Sequence, residues 1–485
     1  MIPVVTPAEM ADIDAGAAEP VDVLIGRAGS AVARTARSML GGTYGRVVNV
    51  IAGPGNNGAD GRVAAERLAA DGAYVRVFEV GSRPERLPEC DLVIDAAYGT
   101  GFHGTWTPPV IGAARVLAVD IPSGVDGLTG VAGSGVLAAE RTVTFAAMKP
   151  GLLLGDGLRL AGRVTVADIG LDPSGTTAYM VERADVARWY VPRPADAHKW
   201  SRGVRVVAGS VGMTGAATLC SSAAMRAGAG IVWLSSPGTD PAGPVEVVGR
   251  ALPPVGWGDA VVDDLDRFGA LVAGPGIGRG DAMLAGVVEL VRRSPVPTVI
   301  DGDGLFALAE VNGARDTVRG RVSPTVLTPH DGEYRSLMGD GPGADRIEAA
   351  RRLAAEWSVV VLLKGPSTVI ADAQGRARVV SDGDQRLATA GSGDVLSGVI
   401  GALLAAGLDP FDAAAAGAWI HGAAGNSRRA TGLVAGDLVD ALPTVLDGLA
   451  GFGTVVDSEQ DLAHNRPQFG RSRSRTSRVG SDWRD

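Results

Sequence analysis

The chain has 485 residues, of which 46% are apolar and 20% charged, so it is globular and too long for one ordinary core. A formal charge of −9 argues against nucleic acid as a general partner, and no apolar run reaches transmembrane length unbroken, which argues against a membrane. The start, Met1 to Pro7, carries no signal-peptide pattern, and Cys90 and Cys220 lack metal-ligand spacing, so free thiols in a cytoplasmic protein are expected.

In chain order, residues 6–40 read as two helices, with Thr6 as N-cap and Pro7 in the first turn. A β-branched run over 46–52 reads as a buried strand. It leads into Gly53-Pro54-Gly55-Asn56-Asn57-Gly58-Ala59-Asp60-Gly61 and then a helix. Further strands are expected over 74–80, 91–95, 115–120, 143–146 and 164–167. This alternation predicts a Rossmann-like three-layer α/β/α sandwich with a parallel sheet, whose ligands bind beyond the carboxyl ends of the strands. Three strands end in polar tips: Asn56, Asn57 and Asp60; Asp95; and Asp120 with Ser123. Gly53, Gly55 and Gly58 spell G-x-G-x-x-G, and Glu79 follows at the distance of a ribose-binding acid, so a dinucleotide-dependent dehydrogenase is a rival reading. Pro54 and the paired asparagines argue against it. Asn57, Asp95 and Ser123 offer hard oxygen ligands with a single negative charge, a set suited to a monovalent cation. Helix and turn capping is the alternative role for these residues.

The Gly53–Gly61 string, Asp95-Ala96-Ala97-Tyr98-Gly99-Thr100-Gly101 and Asp120-Ile121-Pro122-Ser123-Gly124 occur in the order of the NAD(P)HX epimerase family, which residues 6–180 resemble. The resemblance implies potassium ligands at Asn57, Asp95 and Ser123. It also implies substrate contacts from Asn56, Asn57, Gly58, Ala59 and Asp60, from Gly99, Thr100, Gly101, Phe102, His103, Gly104 and Thr105, and from Asp120 as the catalytic residue. Ala59 stands where the family has a second glycine, and an acid usual in the N-terminal helix is replaced within Leu24-Ile25-Gly26-Arg27-Ala28-Gly29.

Val191-Pro192-Arg193-Pro194 interrupts both helix and strand, which predicts a linker between residues 1–190 and 191–452, with few contacts and separable halves. The second half repeats the pattern, with strands expected over 204–208, 231–235, 270–273, 298–301, 325–328 and 359–363, and helices after Gly215 and near 281–293, 303–310 and 345–357. Polar loops follow several strands: Gly274-Pro275-Gly276-Ile277-Gly278, Thr328-Pro329-His330-Asp331-Gly332-Glu333, and Lys364-Gly365-Pro366-Ser367-Thr368. Ala390-Gly391-Ser392-Gly393-Asp394-Val395-Leu396-Ser397-Gly398 forms a small-residue turn opening a helix, where unpaired amides attract phosphate. A carboxylate there repels phosphate and is better placed to take a proton from an attacking hydroxyl, which makes Asp394 a general-base candidate. A helix-favouring first-turn acid is the alternative.

Together with Gly215-Ala216, these loops resemble the NAD(P)HX dehydratase family, ribokinase-like in fold, over roughly residues 195–450. The resemblance implies that Lys364, Gly365, Pro366, Ser367, Thr368 and Gly393 bind the adenine nucleotide, while Ala216, Gly276, His330 and Asp394 face the hydrated nicotinamide. Gly-Ser-Gly-Asp here replaces the commoner Gly-Thr-Gly-Asp and keeps the hydroxyl. The expectation is a bifunctional repair enzyme for NADHX and NADPHX, an isomerase joined to an ADP-dependent lyase. Potassium serves the first half, and ADP, with magnesium a further candidate, serves the second. A vitamin or sugar kinase of the same fold is the rival. A homo-oligomer is expected, and residues 453–485 read as a disordered Ser/Arg-rich tail.

Overall fold

The computed structural model describes residues 1–429 and 431–452; the expected tail lies outside the described residues. A short strand, β1 (Ile2–Val4), opens the chain ahead of the helices Pro7–Ala15 and Val21–Leu40. Thr6 caps the first as expected: its hydroxyl accepts from the Glu9 amide, the Glu9 carboxylate accepts from the Thr6 amide, and Pro7 occupies the first turn.

The strands β2 (Val47–Ala52), β3 (Tyr74–Glu79), β4 (Leu92–Ala96), β5 (Arg115–Val119), β6 (Arg141–Phe145) and β7 (Arg163–Ala167) form a parallel sheet in the order β3-β2-β4-β5-β6-β7. Successive residues alternate between its faces. Val48, Val50 and Ile94 pack against Val32, Ala36 and Leu68 of the helices Val21–Leu40 and Asn56–Ala70, whereas Ile51 and Val93 join Trp106 on the other side. The chain leaves β2 toward β3 on one side and β4 on the other, so the crevice opens between the carboxyl ends of β2 and β4.

The second sheet contains β8 (Ala178–Met180), β9 (Gly203–Val207), β10 (Ile231–Ser235), β11 (Val248–Gly249), β12 (Ala270–Ala273), β13 (Thr298–Ile300), β14 (Thr325–Leu327), β15 (Val360–Leu363), β16 (Thr368–Ala371) and β17 (Ala377–Val380). Its order is β1-β8-β17-β16-β15-β14-β13-β12-β9-β10-β11, parallel from β15 to β11. Helices cover both faces, which is why most residues of these strands are apolar, with Arg205 in β9 a buried exception.

The expected division at residues 190 and 191 does not follow the sheets. β1 and β8 belong to the second sheet, paired Ile2 with Met180, and β8 lies parallel to β17. Ile121, Leu152 and Leu153 share one buried cluster with Leu327, Val361 and Val369. The prolines at 192 and 194 still break regular structure, but the surrounding chain is tied down: Arg202 donates to the Val191 and Pro192 carbonyls at 2.9 Å. Among the described residues no helix is long and apolar enough to cross a membrane.

Candidate active sites

The first site is a cavity of about 880 Å³ at the β2/β4 crevice, lined among others by Asp14, Asn56, Asn57, Asp60, Thr100, Phe102, Asp120 and Lys149. The turn at its floor requires glycine. A Cβ on Gly53 would lie 1.8 Å from the Ala97 carbonyl oxygen, and one on Gly58 would lie 1.9 Å from the Gly53 carbonyl oxygen. Gly53 and Gly58 therefore shape the turn, Ala59 follows in the helix Asn56–Ala70 without lining the cavity, and Asn56, Asn57 and Asp60 face it. Gly99, Thr100, Gly101, Phe102 and His103 line it as well; Gly104 and Thr105, expected with them, do not. Phe102 stacks on Tyr98 with centroids 4.0 Å apart.

Asp120 is the best-supported acid. Its backbone takes a left-handed φ of 66°, rare for a residue with a Cβ and suggestive of a fixed task. Oδ1 meets Lys149 Nζ at 2.9 Å and accepts from Thr144 Oγ1 at 3.0 Å; Oδ2 accepts from the Thr100 amide at 3.2 Å and hydroxyl at 3.1 Å. Burial alone would raise this carboxyl, but the Lys149 ammonium and the hydrogen bonds outweigh it and hold it below the ordinary range. Asp60 behaves oppositely: burial first, then the charges of Asp120 and Asp14, push it up to about 8. Asp14, from the first helix, is raised chiefly by burial. Lys149 and Asp14 escaped the sequence reading, although Lys149 directly follows a strand-end segment, a position where polar residues elsewhere in the sheet mark the site.

Asp95 and Ser123 do meet. The Ser123 hydroxyl donates to Asp95 Oδ1 at 2.7 Å and its amide to Oδ2 at 3.0 Å. Burial raises the Asp95 carboxyl, and no cationic side chain pairs with it among the described residues. Both polar atoms of the Asn57 side chain are buried without a hydrogen-bond partner. Asp95 is satisfied by Ser123 and the Ala97 amide, as a capping acid would be, whereas the orphaned Asn57 amide oxygen is a ligand atom that a monovalent cation could use. Glu79, by contrast, pairs with Arg62 Nε at 3.1 Å and does not line the cavity, which removes the geometry of the dehydrogenase reading.

The second site lies where β9, β12, β13, β14 and β15 present their carboxyl ends along one edge. Gly391, at φ 87°, precedes the helix Ser392–Ala405, and no side chain caps this end. The Ser392 hydroxyl donates to the Leu387 carbonyl at 2.7 Å and so braces the turn. Behind it, the buried His421 is pushed down to about 4 by burial and stays neutral. A Cβ on Gly393 would lie 3.6 Å from both Asp301 Oδ2 and Lys364 Nζ. Lys364 pairs with Asp301 at 2.9 Å and Glu333 at 3.5 Å, and Ser397 Oγ donates to Asp301 at 2.7 Å. Asp301 is held low by Lys364 despite its burial. Asp394 is pushed up to about 7 by burial and then by the Asp301 charge, with Lys364 opposing.

Asp301 and Glu333 were not singled out from the sequence, although Asp301 closes an expected strand and Glu333 sits inside a quoted motif. Ala216 and Gly276 pack together, since a Cβ on Gly276 would lie 2.8 Å from that of Ala216. His330 caps the helix Asp331–Met338, its Nδ1 accepting from the Gly332 and Glu333 amides, while its ring stays exposed at the edge of the site. Gly365 and Pro366 are exposed beside Lys364, but Ser367 is buried and donates to the Leu153 carbonyl of the first half at 2.6 Å, and Thr368 begins β16. The Ser367 hydroxyl therefore joins the halves.

These features define a class: an α/β protein built on two largely parallel sheets, with a ribokinase-like fold in its second half. A ribokinase-like superfamily protein from Enterococcus faecalis shares that fold at a TM-score of 0.50 and 20% identity, covering 57% of this chain and 97% of its own. Residues 204–444 match the NAD(P)H-hydrate dehydratase family, and residues 21–91 and 81–151 match the YjeF-related protein N-terminus. A bifunctional NAD(P)H-hydrate repair enzyme from Moorella thermoacetica is 37% identical over 92% of this chain and 97% of its own; one from Mycobacterium tuberculosis is 39% identical over 79% and 84%. The chain belongs to the family of bifunctional NAD(P)H-hydrate repair enzymes.

Proposed function

We propose that the first half interconverts the R and S epimers of NADHX and NADPHX, and that the second half dehydrates the S epimer at the expense of ADP, releasing NAD(P)H, AMP and phosphate. The observation that carries the second step is Asp394 at an uncapped helix N-terminus beside Lys364, where a base and phosphate-binding amides meet. Asp394 takes the proton of the substrate hydroxyl as that oxygen attacks the terminal phosphoryl group. The amides of the Gly391–Gly393 turn and the Lys364 ammonium offset its charge. Elimination of phosphate then restores the ring. Lys364, Gly365 and Gly393 hold the nucleotide, and Ala216, Gly276 and His330 border the nicotinamide.

In the first half, Asn57, Asp95 and Ser123 would hold potassium, which supplies a positive charge for the substrate's phosphate among acids that otherwise repel it. Asp95→Ala should reduce epimerisation and spare dehydration, and potassium-free buffer should do the same; equal loss of both activities would remove this assignment.

The deciding experiment follows recovery of reduced-nicotinamide absorbance from the hydrate, with ADP or ATP, together with release of inorganic phosphate. A stable phosphoester in place of phosphate and NADH would establish a kinase instead.

A further inference from the structure

The acids of the first cavity are not equivalent, and the difference reaches beyond substrate contact. Lys149 is 1% exposed and its ammonium is fully engaged by Asp120 Oδ1, Thr144 Oγ1 at 2.8 Å and the Phe145 carbonyl at 2.9 Å. Asp120 gathers two hydroxyls and an amide besides. Asp60, 6% exposed on the helix Asn56–Ala70, receives neither a hydrogen bond nor an ion pair among the described residues and faces the charges of Asp120 and Asp14. None of the remaining ionisable groups on the cavity wall bonds to it among the described residues: Glu19 pairs with Arg27 at 2.7 Å, Tyr98 stacks on Phe102, and His103 belongs to the loop after β4. One site thus holds a carboxylic acid beside a carboxylate.

We propose that Asp60 is the proton donor that expels the substrate hydroxyl, and Asp120 the acceptor of a proton when water returns, so that epimerisation runs by loss and re-addition of water. This rests on the repair reading above. The hydroxyl of the hydrate sits on the ring carbon next to nitrogen. Asp60 gives its proton to that oxygen, the C–O bond breaks with its electron pair leaving in water, and the nitrogen lone pair forms C=N. The Asp120 carboxylate offsets the cation. Water then adds to the opposite face, the C=N pair returns to nitrogen, and the surplus proton goes to Asp120. Its return to Asp60 runs from the weaker base to the stronger and resets the site. In the reverse direction the two roles exchange, and no other reactant is needed.

The test uses the full-length chain and purified R epimer in heavy-oxygen water. The S epimer formed should carry one solvent oxygen per turnover, above the enzyme-free background. Asp60→Asn should slow epimerisation by on the order of 10²–10⁴ while ADP-dependent dehydration of the S epimer by the same sample is unchanged, and Asp60→Glu should recover part of the loss. Retention of the original oxygen by the wild-type product overturns the proposal, even if the variant fails to fold. So does wild-type epimerisation by a folded Asp60→Asn. A wild-type chain that never converts the epimers instead overturns the repair reading.

Discussion

Each half of the chain sets one lysine among several acids and leaves at least one of those acids without an ion pair among the described residues. Lys149 meets Asp120 at 2.9 Å and leaves Asp60 near 8; Lys364 meets Asp301 at 2.9 Å and leaves Asp394 near 7. The physics is shared: a buried ammonium lowers the acid it touches, while burial first and the resulting carboxylate second raise the unpaired neighbour. The setting differs. Lys149 is enclosed with three acceptors, whereas Lys364 divides itself between Asp301 and Glu333 and is 21% exposed. The first lysine is an enclosed counterion; the second is shared between two acids and reached by solvent.

The largest effect that would sharpen this contrast is on turnover. Asp394→Asn should lower ADP-dependent dehydration by on the order of 10²–10⁴ with epimerisation and ADP affinity retained. Near-normal dehydration in that variant would leave Asp394 as a first-turn helix acid.

Next comes stability. Lys149→Met strands Asp120 in a buried site and should cost about 3–5 kcal/mol in denaturant unfolding of the full chain. Lys364→Met should cost less, because Lys364 is 21% exposed against 1% for Lys149, so solvent can reach the group its removal strands. Equal losses would erase the distinction between an enclosed and a solvent-reached lysine.

How much of this contrast could be read from the sequence depends on how local its causes are. The three polar strand tips of the first sheet, the Thr6 cap and the Gly391–Asp394 turn were legible, because alternating strands and a helix start announce themselves within a few residues. Lys149 was not. Its chemistry comes from burial against Thr144, Phe145 and Asp120, and nothing within Met148-Lys149-Pro150-Gly151 encodes that burial. β1 and β8 have three residues each, too few for periodicity, and they exist because β17 offers an edge. β16 and β17 have four residues each, again too few for periodicity, and the resemblance that assigns Ser367 and Thr368 to the nucleotide carries no sign of the Leu153 contact.

The pH profile offers a third, smaller test. Burial and the Asp301 charge raise Asp394 to about 7, with Lys364 opposing. A base must be ionised to act, so dehydration should fall about tenfold per unit as pH drops below that value and level off above it. The acid limb should disappear in Asp394→Asn, leaving a low rate independent of pH. A wild-type rate that stays flat through neutrality would show that ionisation of Asp394 does not control the step.

The smallest expected effect separates the two roles available to Ser367. Its hydroxyl donates to the Leu153 carbonyl, a group from the first half buried in the same cluster as Val369. Removing the hydroxyl leaves that carbonyl short of a partner, at a cost of about 1–3 kcal/mol. Ser367→Ala should therefore lower the denaturation midpoint of the full chain while ADP affinity in equilibrium binding stays at the wild-type value. A nucleotide ligand would give the reverse pattern, with weakened ADP binding at unchanged stability. The same seam bears on cutting the chain near Pro192: a fragment starting there lacks β1 and β8, exposes the β17 edge, and should aggregate, whereas a bond confined to a nucleotide site would let it stay soluble.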